Sequence, residues 1–112
     1  MSDPQRGRLY WGRLDKLPPV LVVSSDKFNT RSGYVTVVPG STRVRPLVTH
    51  VELRRGEGGV AEATMLLCEH VQELHQSDLD PAPMGPALSL ARMRQVEAAL
   101  LVYLDIAVEP LA

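Results

Sequence analysis

The sequence of 112 residues holds one cysteine, Cys68, which excludes an intrachain disulfide and makes a reducing compartment, the cytosol, the expected setting. Aromatic residues are scarce at 4%; Tyr10 and Trp11 could offer a stacking surface for bases, but the single Trp11 is expected instead to anchor a small core or a dimer interface. Long hydrophobic runs are missing. Runs such as Val20-Leu21-Val22-Val23 are far too short to span a bilayer, so no membrane association is expected. Residues 1–8 carry no apolar segment of the kind a secretory signal needs. A surplus of either charge is missing too: the net charge is −1, and no overall basic field holds nucleic acid. Repeats and low-complexity tracts are absent. Gly56-Glu57-Gly58-Gly59 lacks the Lys-Ser/Thr that would make it a phosphate loop. His50, His70 and His75 are spaced for neither a zinc signature nor a helical pair, so no metal and no other cofactor is expected.

An apolar fraction of 45% and a charged fraction of 22% are ordinary for a globular chain, and the length suits one domain over residues 1–112. The first two thirds read as short strands punctuated by turn residues. The expected strands cover residues 8–14, with Leu9 and Trp11 on one face, and 20–24, an apolar run suited to burial on both faces. Further strands are expected at 34–38, ended by Pro39-Gly40, and at 47–53 and 64–68, with 71–74 continuing the last after a bulge. Asp26-Lys27-Phe28-Asn29 reads as a turn or a single helical turn, and residues 81–86 as a linker that stops the sheet. From Ser89, a plausible N-cap, the period changes. Leu90, Met93, Val96, Leu100 and Tyr103 or Leu104 form one apolar helical stripe. The fold class expected is mainly β with a C-terminal helix, a small barrel or half-open sheet with the helix packed on it.

Ten of the twelve basic residues lie within residues 1–55, so a local basic patch survives the neutral total. Arg43 and Arg45 could line an RNA groove or stand solvated. Ser41 and Thr42 follow Pro39-Gly40, where turn chemistry alone would also select a hydroxyl. His50 is expected to be structural. His70, beside Glu69, is open to an acid–base role, and Cys68 reads as a small core residue.

Read in order, several segments resemble the MazF/PemK toxin family. Gly7-Arg8-Leu9-Tyr10-Trp11-Gly12-Arg13-Leu14-Asp15 looks like that family's opening strand. Pro19-Val20-Leu21-Val22-Val23-Ser24-Ser25-Asp26 is similar to its "RPVLVVSND" stretch, and Val37-Val38-Pro39-Gly40-Ser41-Thr42 to "VVPLTS". Thr49-His50-Val51-Glu52-Leu53 matches "THVEL", and Cys68-Glu69-His70-Val71 parallels "CEQIR". The resemblance implies an SH3-like barrel of the MazF/Kid/CcdB type and a homodimeric toxin of a type II toxin–antitoxin pair. It further implies metal-independent, sequence-specific cleavage of single-stranded RNA, and a cognate antitoxin as partner. On that resemblance Ser41 and Thr42 are the candidate catalytic hydroxyls, and Arg13, Lys16, Arg43 and Arg45 the candidate RNA-binding cations. The family's usual arginine before the second-strand proline is replaced by Pro18, and Gln72 and Glu73 stand where arginine and threonine commonly follow "CEQI". Loss of a phosphate-facing cation is expected to cost roughly a thousandfold in rate unless a neighbour supplies the charge. The alternative is a degenerate member that works by binding its antitoxin or a topoisomerase-type target.

Overall fold

The computed structural model describes residues 3–43 and 45–108; Val44, which separates Arg43 from Arg45 in the sequence, lies outside them, as do Met1, Ser2 and residues 109–112. Among the described residues six strands form one antiparallel sheet: β1 (Leu9–Trp11), β2 (Pro19–Val22), β3 (Tyr34–Ser41), β4 (His50–Leu53), β5 (Thr64–Leu67) and β6 (Gln72–His75). The helices are the single turn α1 (Asp26–Asn29) and α2 (Leu90–Tyr103), with short 3-10 turns at Glu57–Gly59, Cys68–His70 and Gln76–Asp78. No helix among the described residues is long and apolar enough to cross a membrane.

β3 organises the sheet. One edge carries β2, in register Val22–Val37 and Val20–Pro39. The opposite edge carries β6 against residues 34–37 and β5 against Gly40 and Ser41. β3 therefore runs through Pro39-Gly40 instead of ending there. Gly40 makes this possible, because a Cβ at that position would sit 2.7 Å from Cγ2 of Thr64. The expected bulge between 64–68 and 71–74 is instead a 3-10 turn, which moves the chain from β4's partner to β3's far end.

The free edge of β1 is covered by the segment between β6 and α2. Arg13 N–H donates to the Asp78 carbonyl, Asp80 N–H to Trp11, Met84 N–H to Leu9 and Leu88 N–H to Gly7, each at 2.8 Å. The proline- and glycine-rich stretch thus curls the sheet toward a barrel and protects an edge that would otherwise pair with another chain. Glycine is required here: Gly59 has φ +96°, and a Cβ there would strike the Met84 carbonyl.

Both faces of the curled sheet are buried, as the apolar run of β2 predicts. Leu9, Leu21, Val38, Val51, Leu53 and Leu66 pack with Met93, Val96 and Ala99 of α2, while Tyr10, Val20, Val22, Val35, Val37 and Leu74 fill the other side. Tyr10 is 3% exposed and Trp11 43%, the reverse of the expected β1 pattern and of a core role for Trp11. The buried tyrosine is satisfied because its hydroxyl accepts from Gln5 N–H at 2.9 Å.

Ser89 caps α2 as expected, its Oγ accepting from Arg92 N–H at 3.1 Å. The buried helical stripe is shorter than the sequence suggests: Leu90, Tyr103 and Leu104 are exposed. Ion pairs tie the helix down. Arg92 holds Glu57 with two bonds of 2.9 Å, and Arg6 holds Glu97 at 3.0 Å. The hydrogen bonds from Arg92 and from Arg54 N–H keep the Glu57 carboxyl below its usual range; those from Arg94 and Arg6 do the same for Glu97.

Candidate functional site

A cleft of about 430 Å³ opens where the ends of β1, β2 and β3 meet the loop before β5. Trp11 and Pro19 close the β1–β2 ladder as a register pair, and the loop between them is compact: Gly12 N–H donates to Pro18 at 3.0 Å and Leu14 N–H to Lys16 at 2.9 Å. That loop presents Lys16, Leu17 and Pro18 to the cleft. Across from it β3 delivers Gly40 and Ser41, followed by Thr42 and Arg43. Ser41 Oγ accepts from Arg43 N–H at 3.2 Å, a local turn bond that leaves the hydroxyl's own proton able to donate. The turn chemistry and the cleft position coincide in this one residue.

The third wall is residues 60–62 with Thr64, and Met84 closes the floor. Glu62 contributes the one carboxylate among the described lining residues, and its carbonyl accepts the Thr64 hydroxyl at 2.9 Å. A smaller hollow of about 160 Å³ lies against the same Ser41-Thr42 pair and includes Glu52. A neighbouring cleft of about 360 Å³ shares Trp11 and Leu17 and adds Arg13 with Asp78 and Asp80.

The structure therefore brings together Ser41, Thr42, Lys16 and Arg43 of the sequence candidates. It sets Arg13 in the adjoining cleft and leaves Arg45 outside both. Pro18 lines the cleft itself, while Gln72 and Glu73 on β6 do not. Sequence reasoning missed Glu62 and ranked a stacking surface at Trp11 behind a core or dimer role. Glu62 sits in a loop without periodicity, and a tryptophan in an apolar strand reads as core.

Several of the remaining ionisable groups are explained by their structural surroundings. His50, with a side chain 4% exposed, sits between the Arg45 carbonyl, 2.9 Å from Nδ1, and Glu69, 2.7 Å from Nε2. Glu69 also accepts from the Thr49 hydroxyl at 2.9 Å. Burial pushes the Glu69 carboxyl up, but the bonds from His50, its own amide and Thr49 outweigh it and hold it below the usual range. His70 is exposed and outside the cleft. Burial, with the nearby Glu69 charge, pushes the Cys68 thiol up to about 11, so it packs as a small apolar residue and is no thiolate. Arg6 and Arg8, two of the ten basic residues of the first half, are spent on Glu97 and on the Gly85 carbonyl.

The result is a barrel-like sheet backed by α2, with hydroxyls and cations gathered at the strand ends. Residues 5–104 match the sequence profile of the PemK-like, MazF-like toxins of type II toxin–antitoxin systems, and the chain belongs to that family. The toxin MazF-mt6 of Mycobacterium tuberculosis superposes with a TM-score of 0.81 at 25% identity, over 89% of this chain and 98% of that one. An endoribonuclease in complex with its cognate antitoxin, from a mycobacterial species, gives 0.81 at 22% identity over 95% and 99% of the two chains. A chain of the MazE–MazF complex of Deinococcus radiodurans gives 0.80 at 20% identity over 96% and 100%. No curated protein matches the sequence.

Proposed function

We propose that this toxin is a metal-independent endoribonuclease that cuts single-stranded RNA in the cleft of Ser41 and Thr42. The observation that carries the proposal is the meeting of the Ser41 and Thr42 hydroxyls, the cations Lys16 and Arg43 and the Glu62 carboxylate around a single cleft of about 430 Å³. In such a site a ribose 2′-hydroxyl attacks the adjacent phosphorus. Its proton passes to the Glu62 carboxylate, the bond from phosphorus to the 5′ oxygen breaks, and a 2′,3′-cyclic phosphate forms while the departing oxygen takes a proton from water. Lys16 and Arg43 neutralise charge gathering on the phosphoryl oxygens, and Ser41 and Thr42 donate to them. The reaction needs no redox partner.

The test compares an oligoribonucleotide with its all-2′-deoxy counterpart in EDTA. Both are expected to bind, and only the first to be cut, leaving a cyclic phosphate end. Cleavage of the deoxy strand, or dependence on a divalent ion, would contradict the chemistry.

Relatives solved with an antitoxin support a cognate antitoxin as partner here. A disordered acidic segment laid along Lys16 and Arg43 would mimic the RNA backbone. A homodimer acting in the cytoplasm belongs to the same proposal.

Pro18 favours a second function, a barrel retained for protein binding. It occupies the cleft wall at the position where the family resemblance places an arginine. Pro18→Arg separates the two: a large gain in cleavage marks an intact but under-charged site, and no gain marks a binding module.

A further inference from the structure

We propose that Trp11 is a stacking platform for a base of the bound RNA strand, seated at the border of the cleft whose Lys16 and Arg43 take the adjoining phosphate. The inference rests on the RNA-binding function proposed above and names the residue that grips the base.

Three observations carry it. The first is burial. Leu9 and Tyr10, the preceding residues of β1, are 0% and 3% exposed, whereas Trp11 is 43% exposed and belongs to neither core. A large indole held half in water on an otherwise buried strand is an apolar surface awaiting a partner. The second is rigidity. Trp11 pairs with Pro19 across the ladder on one side, and on the other its carbonyl accepts Asp80 N–H at 2.8 Å, so its backbone is fixed on both edges. A platform that does not reorganise on binding loses little entropy.

The third is charge. Trp11 and Leu17 border both clefts. Lys16 and Arg43 stand in one beside Glu62, and the other sets Arg13 against Asp78 and Asp80, so the first is the cleft suited to a phosphate. An aromatic face beside a cationic cleft repeats one step of the alternation of base and phosphate along a single strand. An apolar peptide side chain would use the indole but not the adjoining cations, so a nucleotide strand is the occupant that the arrangement favours. Stacking is tolerant of base identity, because every base has a π-face. Trp11 is therefore assigned to grip and register, not to sequence choice.

Trp11 is the one tryptophan of the chain, so its fluorescence reports directly. The probe is an end-labelled random-sequence 2′-deoxy oligonucleotide, which cannot undergo 2′-hydroxyl attack. Its anisotropy gives binding independently of the tryptophan. The expected result is quenching of Trp11 that saturates with the anisotropy signal. Trp11→Ala should weaken binding roughly 5- to 150-fold, Trp11→Phe should retain most of the affinity, and the salt dependence should be unchanged in both, since the phosphate contacts remain. Circular dichroism identifies any variant that fails to fold, and the quenching of the wild type then decides alone.

Binding by anisotropy with silent tryptophan fluorescence would overturn the inference while leaving RNA binding intact. Absence of both signals, together with no RNA cleavage, would overturn both. Quenching by an acidic peptide but not by the oligonucleotide would reassign the platform to a protein partner and overturn it equally.

Discussion

Replacing Glu69 by alanine removes the acceptor at the centre of the network beneath the loop that follows the cleft. His50 loses a bond of 2.7 Å and Thr49 one of 2.9 Å. A hydrogen bond to a charged acceptor contributes about 1.5–3 kcal/mol and an ordinary one about 1 kcal/mol. Water reaches part of Glu69, whose side chain is 23% exposed, and will replace some of this. The nearly buried His50 ring has no such recourse on its Nε2 side. A net loss of about 2–3 kcal/mol follows. With an unfolding entropy of about 2.1 cal/mol/K per residue over 112 residues, each kcal/mol moves Tm by about 4 °C, so Glu69→Ala should melt about 8–12 °C below wild type. Thermal unfolding followed by circular dichroism measures it. Glu73→Ala, on an exposed position of β6, is the control and should shift stability by less than about 0.5 kcal/mol. A Glu69→Ala variant melting within about 2 °C of wild type would refute the network's role.

Acid should weaken the fold in the same currency. Glu57, Glu69 and Glu97 have carboxyls held below the ordinary glutamate value of 4.5, so their stabilisation is complete above that value and is lost as pH falls through their lower folded values. Tm should therefore decline below about pH 4.5, which a pH series of melts will show, and Glu97→Gln should flatten the decline. Lys16→Ala and Arg43→Ala should each reduce the slope of log affinity against log salt for single-stranded RNA by about 0.7, whereas Arg45→Ala, outside the cleft, should leave it unchanged. Glu62→Gln should lower the cleavage rate at least about a hundredfold while binding of an uncleavable oligonucleotide stays within about twofold.

Much of the fold was legible because local chemistry and packing agree. The β2 run is buried on both faces, Ser89 caps α2, and the change of period at residue 89 marks the helix. The errors came where a longer-range contact overrode a local signal. Pro39 reads as a strand end, but β3 continues because Gly40 lets β5 approach. Alternation placed Trp11 inward and Tyr10 outward. The curled sheet instead buries Tyr10 in a second core and leaves Trp11 at a rim that is made only when residues from β3 and the 60–64 loop come together. Leu90, Tyr103 and Leu104 keep the helical period but overrun the surface they were assigned to cover.

The site was legible in part for the same reason. Ser41, Thr42 and Arg43 are adjacent in sequence and stay together in space, and Lys16 reaches them through the compact turn of residues 12–18. Arg13 and Arg45 are equally basic on paper, but where each is carried follows from backbone bonds that spacing does not reveal. Arg13 is bonded to Asp78 and Arg45 is tied to His50. Glu62 had no motif to announce it.

The most direct measurement is cleavage of a long single-stranded RNA by the purified protein in EDTA, with Ser41→Ala run beside it at equal foldedness. Discrete bands from the wild type that fade in the variant are the predicted result. Intact RNA after prolonged incubation with well-folded wild type would contradict the ribonuclease function and leave the binding module in its place.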